Sequence, residues 1–429
     1  MKSKPTKKKR ASTKRGFWAT AHAAALAPRL FFSEPVGARG RWTPLKFAIG
    51  VSAIALPLGT AGDLLVAGEN LGSAIGVGVG MLVISPLLAV VSVYFTSALT
   101  HFWLLVVRGK QGTFSDTLSC VGYSAAPTLL GVIPMVGGAV GGIWQFVVLA
   151  LGLKGRHRTT SARAAFAVLA GPVSMVLLAL SFRFLVAEAF KIPSGAMLPT
   201  LQIDDHLFVS KLAYGPALPL TGTRLYSRLP PQYGDVMVFE FPDPNPSNPR
   251  QDFTNRVIAL PGDELVVEDG HPIINGWRVP SCHVGAYEFT VVGDARPTRG
   301  ELIIEFLGAS THLVFLEAER FDGRQGPYSV GANEVWVLGD NRNNSSDSRS
   351  WFDGKGGGVP FENIKGRASL VWMAFAEDGA VDFDRLLHPV MGTPVLPKGA
   401  PAELTDGIDK CLASRPPLAQ TTPPKAQGL

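Results

Sequence analysis

Charge is scarce in this chain. Of its 429 residues only 17% are charged while 46% are hydrophobic, and the shortage is concentrated before residue 190. Long uncharged runs there give way to charged, turn-rich sequence, which reads as a membrane half followed by a soluble half. Cysteine is nearly absent too. Cys120, Cys282 and Cys411 fit no metal-ligand spacing, so neither a metal nor another cofactor is expected. Cys120 falls in an apolar run; Cys282 and Cys411 are able to pair if the soluble half is exported, or to stay as lone thiols. No charge sits deep in a confident span, which argues against a transporter.

The charge that is present is patterned. Lys2, Lys4, Lys7, Lys8, Lys9, Arg10, Lys14 and Arg15 form a basic arm and account for much of the net +6. No aromatic or fold signal for nucleic acid accompanies the arm, so it reads as a topology anchor facing anionic lipid. A long polar stretch separates it from the first apolar run, unlike a cleavable signal sequence. Candidate spans are Phe47–Ala61, Ala74–Val107, Leu118–Val136, Gly138–Leu153 and Ala164–Phe190. The second exceeds the ~20 residues a span needs, so it is one tilted helix or a tight hairpin. Basic loops at Arg108-Gly109-Lys110 and Lys154-Gly155-Arg156-His157-Arg158 belong in the cytoplasm. Five spans with the N-terminus inside then place everything after Phe190 outside.

Beyond Phe190 the pattern shortens to β runs. Val236–Phe241 suits a buried strand, and Asp269-Gly270 and Asn275-Gly276 read as tight hairpin turns. Glu301–Phe306, Thr311–Glu317, Glu334–Leu338 and Lys365–Ala374 add strands. The expected fold is an α-helical membrane domain of about five spans followed by an all-β domain. Its parts are a basic cytoplasmic arm (1–44), a multi-span domain (45–163), a last transmembrane helix (164–190), an extracytoplasmic β domain (191–388) and a Pro-rich disordered tail (389–429).

Five boxes occur in order in the soluble half. They are Pro193-Ser194-Gly195-Ala196-Met197-Leu198-Pro199-Thr200-Leu201, Asp205–Val209, Gly234–Phe239, Arg256-Val257-Ile258-Ala259-Leu260-Pro261-Gly262-Asp263 and Leu338–Arg349. Together they resemble the bacterial type I signal peptidases over about Phe184 to Phe375. Upstream, Gly112-Thr113-Phe114, Val121–Pro127, Ile133–Gly138 and Gly142-Ile143-Trp144 resemble the Yip family of multi-span membrane domains over roughly 40–170. That second likeness implies a membrane scaffold without a known chemistry.

The peptidase resemblance implies a serine nucleophile at position 196 and a lysine general base at position 255, the Ser-Lys variant of triad logic. Such a lysine must be buried to lose its proton near neutrality. This chain has Ala196 and Asn255 instead. A methyl group forms no acyl-enzyme, and an amide does not titrate near neutrality. Loss of a serine nucleophile alone costs on the order of a million-fold in turnover. The paired loss argues against a single trapping substitution. Ser194 carries the family's oxyanion hydroxyl, Ser345 its hydrogen bond to the base, and Asp347 with Arg349 a bracing ion pair; these remain. Pro193, Met197, Leu198 and Pro199 would line the substrate groove. The resemblance thus implies a signal peptidase homologue of the bacterial cytoplasmic membrane without its catalytic dyad. Its implied partners are the bilayer and signal peptides or exported preproteins, not nucleic acid. The alternatives are an active enzyme with relocated catalytic groups and a membrane scaffold whose soluble half is structural.

Overall fold

The computed structural model describes residues 15–34, 42–109, 111–216, 230–289, 297–318, 320, 323–375, 381–396 and 400–425. Most of the basic arm, and Lys110, lie outside them. The chain divides into two compact units, Met1–Leu178 and Ala179–Leu429.

The first unit is helical. Helices α1 (Phe17–Leu26) and α2 (Pro28–Ser33) precede α3 (Pro44–Val66), α4 (Leu71–Val106), α5 (Phe114–Ser124), α6 (Gly137–Arg156) and α7 (Ser161–Leu185). Their starts follow the capping rules. Pro44 opens α3, where a missing N–H costs nothing, Asn70 caps α4 through Ser73 N–H, and Thr113 with Asp116 forms a capping box on α5. Among the described residues four helices, α3, α4, α6 and α7, are long and apolar enough to cross a membrane. Val83 and Leu87 on α4 and Leu177 and Leu178 on α7 are exposed, which suits a lipid-facing surface. The long second run is a single helix.

The expected span Leu118–Val136 is not a continuous helix. After α5 the chain tightens into a 3₁₀ turn, Ala126–Val132, at Pro127, which has no N–H to continue the ladder. The segment nevertheless passes from one end of the bundle to the other. At its start Asp116 pairs with Arg156 at 2.8 Å, and the Thr117 hydroxyl bonds His101 and His157 at 2.8 and 2.9 Å. At its far end Met135 N–H donates to Asp63 Oδ1 at 2.7 Å. Small residues let this broken pass sit against its neighbours. A Cβ on Gly59 would lie 2.4 Å from the Gly131 carbonyl oxygen, and one on Gly141 2.5 Å from that of Pro127.

The second unit is mostly antiparallel β. Its strands are β1 (Ala187–Lys191), β2 (His206–Ser210), β3 (Val236–Glu240), β4 (Asp252–Ala259), β5 (Glu264–Glu268), β6 (His271–Ile274), β7 (Trp277–Arg278) and β8 (Ser281–Phe289). They continue as β9 (Thr298–Leu307), β10 (Ser310–Glu317), β11 (Arg324–Ser329), β12 (Glu334–Leu338), β13 (Val359–Pro360), β14 (Ile364–Met373) and β15 (His388–Pro389). The main sheet runs β1-β2-β14-β3-β4-β12-β13, with β15 beside β14. Two smaller sheets, β11-β5-β6-β7 and β10-β9-β8, complete it. Val236–Phe239 is buried throughout, as its apolar run predicts. Both predicted hairpin turns form: Asp269, Gly270, Asn275 and Gly276 all take positive φ, the geometry such turns require.

Two expected boundaries move. The last apolar helix was expected to reach Phe190 but stops at Leu185, because Ala187–Lys191 pairs with His206–Ser210 as β1 and β2. The tail expected to be disordered carries helices α8 (Ala402–Ala413) and α9 (Leu418–Thr421). In α8, Leu404, Ile408 and Cys411 recur at helical spacing and are buried with Leu302, Ile304 and Phe306 of β9. Cys411 forms a disulfide with Cys282 of β8, closing a sequence separation of 129 residues. Thr421 then bonds Gly308 through both backbone and hydroxyl.

A cross-link over so long a loop removes much of the unfolded chain's freedom. Replacing Cys282 and Cys411 with serine is expected to lower the stability of this unit by about 2–4 kcal/mol. Denaturant melts with and without reductant read the change, and reductant should leave the double variant unaffected.

Candidate functional site

The segment after β1 turns at Gly195–Met197 in a short 3₁₀ helix and faces the first half of β4. Between them lies a groove of about 630 Å³. One wall is Ile192–Met197, the other Gln251–Asn255, with Asn344 and Ser346 at one side. Ala196 and Asn255 therefore meet at one groove from segments far apart in sequence. Ser194 and Pro193 are exposed along it, and Met197 is buried at its wall. Leu198 and Pro199, expected to line it, are buried behind it instead, since Leu198 turns back toward Gly195.

The turn is held by its backbone. Asn341 donates from its own N–H to the Ala196 carbonyl at 3.0 Å and from its side-chain amide to the Gly195 carbonyl at 3.0 Å. Gly339 is required beside it, because a Cβ there would fall 2.4 Å from the Ala196 oxygen and also against Ser345 Oγ. Asn255 is 1% exposed, and its amide donates to Ser345 Oγ at 3.3 Å. Asp347 and Arg349 form a buried ion pair whose Nε and Nη2 contacts are both 2.8 Å. Asp347 also accepts from Gly339 N–H at 3.0 Å, so the pair braces the turn that carries Ser345.

No lysine lines the groove among the described residues. Lys191 pairs with Asp204 at 2.9 Å in solvent. Lys211 is largely covered and held by Glu188 at 2.7 Å. Lys365 reaches Asp252, a groove residue, at 2.6 Å. Thr254, next to Asn255 on β4, is also among the lining residues.

Arg256, the residue after Asn255 on β4, has a partner that the sequence boxes alone do not reveal. It is fully buried and grips Asp340 through Nε at 2.8 Å and Nη2 at 2.6 Å. Nη1 donates to the Gly234 carbonyl at 2.8 Å, and the Thr200 hydroxyl donates to Asp340 at 2.5 Å. Burial alone would raise the Asp340 pKa, but Arg256, His312 and the Thr200 hydrogen bond outweigh it and hold the carboxyl below its ordinary value. A second buried pair, Arg342 with Glu305 at 2.7 and 2.6 Å, follows directly after Asn341. Neither pairing has a local signal, since the partners lie 84 and 37 residues apart.

A carboxyl with a depressed folded pKa contributes stability above its unfolded value, near ~4, and loses it as pH falls through the folded value. Asp340→Asn is expected to cost about 3–5 kcal/mol at pH 7, the usual penalty for orphaning a buried charge. The gap to the native chain should begin to shrink as pH falls below ~4, where the unfolded native chain takes up a proton at Asp340, and should shrink until the folded carboxyl is protonated too. Urea unfolding of both proteins across pH checks the sign.

Comparison with known proteins agrees with this architecture. Residues 166–373 match the signal peptidase, peptidase S26 family, and residues 23–183 match the Yip1 domain. The chain is 39% identical over 213 residues to signal peptidase I of Pseudomonas fluorescens, covering 48% of this chain and 71% of that protein. It is 37% identical over 217 residues to signal peptidase I of Pseudomonas aeruginosa, with the same coverage. A probable signal peptidase I-2 of Synechocystis is 34% identical over 200 residues, covering 46% of this chain and 67% of that protein. With the first and last boxes meeting the start of β4 at one groove and relatives matched over two thirds of their length or more, the chain belongs to the signal peptidase I family, joined to a Yip1 domain.

Proposed function

We propose that this protein is a catalytically inactive signal peptidase homologue that binds an extended peptide without cutting it. One observation carries the reading. Ala196 and Asn255 stand where the family resemblance places nucleophile and base, and they lie at one groove that no lysine lines among the described residues. A methyl and an amide supply neither an attacking oxygen nor a proton acceptor near neutral pH. The groove itself is intact. On the groove side the first half of β4, Asp252–Asn255, has no strand paired to it among the described residues, since β12 joins β4 only from Arg256 onward. An extended segment there suits strand addition opposite Ala196, with small side chains entering shallow pockets, and the Ser194 hydroxyl remains at the rim.

The ligand class that fits is the signal-peptide region of exported preproteins, held, sorted or shielded at the membrane. The membrane in this reading is the bacterial cytoplasmic membrane, with the β unit on its outer side. The basic loop before α7 supports that orientation. The disulfide between Cys282 and Cys411 supports it independently, because such bonds persist in oxidising compartments.

Restoring both groups tests the reading. Purified native chain incubated with a preprotein should release no signal peptide. Ala196→Ser with Asn255→Lys should restore cleavage, while each single change stays inactive, because serine without a base and a base without a nucleophile are equally idle. Release of the signal peptide by the native chain, abolished by Ser194→Ala, would overturn the proposal.

A further inference from the structure

Asn255 is almost fully buried at 1% exposure, yet it lines the groove. Its carboxamide offers two N–H donors and an oxygen with two lone pairs. One N–H donates to Ser345 Oγ at 3.3 Å, and this is the side chain's one hydrogen bond among the described residues. The oxygen and the second N–H are left for whatever occupies the groove. A buried amide lacking partners lowers stability unless a ligand or water supplies them. The surrounding chemistry narrows that ligand. The neighbouring groove residues Ser194, Thr254, Asn344 and Ser346 are neutral hydrogen-bonding groups. The ionisable group lining the groove among the described residues is Asp252, whose carboxylate is held by Lys365. Arg256 next door is committed to Asp340. Among the described residues the groove therefore presents no free cation to a phosphate or carboxylate. A peptide unit, one N–H beside one C=O, complements a free carboxamide donor and acceptor.

We infer that Asn255 is a peptide-recognition residue, its carboxamide pairing with one peptide unit of an extended segment in the groove. The inference rests on the reading of the groove as a peptide site and adds how that site reads its ligand. Position 255 becomes a neutral contact to an intact peptide bond. Binding then does not vary across the pH range in which an amine or carboxyl at this position would titrate.

The experiment is fluorescence anisotropy with full-length protein in detergent. The probe is a fluorescein-labelled synthetic peptide spanning a signal-peptide cleavage region with alanine at alternate positions. Native protein should bind with the same Kd from pH 5 to pH 8. Asn255→Asp keeps the shape, and burial at this 1% exposed position raises the carboxyl above its ordinary ~4, leaving it protonated at pH 5 and an acceptor-only group at pH 8. Its affinity should be near native at pH 5 and about tenfold weaker at pH 8. Asn255→Leu should weaken binding about tenfold at every pH and serves if the aspartate variant does not fold. Ser194→Trp, at an exposed position, should block the groove. Unchanged binding by the Asn255 variants, with Ser194→Trp still blocking, overturns the role of Asn255 and leaves the groove reading standing. No binding by native protein, or binding indifferent to Ser194→Trp, overturns the groove reading and this inference with it.

Discussion

The buried contact between Arg256 and Asp340 ties together every segment that shapes the groove. Arg256 is the residue after Asn255 on β4. Asp340 is the residue before Asn341, which grips the carbonyls of Gly195 and Ala196. Thr200, a few residues past the turn, donates to the same carboxylate. One ion pair thus positions β4, the Gly195–Met197 turn and the Leu338–Arg349 box relative to each other. Desolvating two charges is costly, and the cost is offset only where the remaining hydrogen-bonding sites are filled. Here the Gly234 carbonyl and the Thr200 hydroxyl fill them.

That arrangement separates the scaffold of the groove from its chemistry. The groove's shape is held by Arg256, Asp340, Asn341, Asp347 and Arg349, and a hydroxyl at 196 or an amine at 255 is not needed for any of those contacts. A chain can therefore carry Ala196 and Asn255 while its backbone keeps the groove. The reverse loss is not equivalent, since removing Asp340 leaves a guanidinium buried with no counter-charge. This asymmetry explains in physical terms how a family's boxes can remain legible around a groove that carries Ala196 and Asn255.

Much of the fold was legible in the sequence where the signal was local. The turns at Asp269-Gly270 and Asn275-Gly276 demand left-handed backbone, and the run at Val236 demands burial on both faces. What was missed depended on distant partners. Composition alone made Leu118–Val136 a span, but Pro127 and the close approach of Gly141 and Gly59 to neighbouring backbone make it a broken pass. Proline content made the tail read as disordered. The spacing of Leu404, Ile408 and Cys411 was a findable helix signal, whereas the partner of Cys411 was not decided by sequence. At the site, Asn255 bonds Ser345, while the partner of Arg256 had no signal within reach of a strand or turn.

Position 255 also shows what an active dyad asks of such a fold. The side chain there is almost wholly removed from water. A lysine in that place must give up its proton or hold a desolvated charge, and either course weakens folding at the pH where the free amine would be charged. An asparagine avoids that penalty, because its amide carries no charge to desolvate. Its remaining cost is the unfilled hydrogen-bonding capacity beyond Ser345. An asparagine at 255 therefore spares the fold the cost that a buried amine at this position would impose. The burden that remains is one that an occupant of the groove can meet.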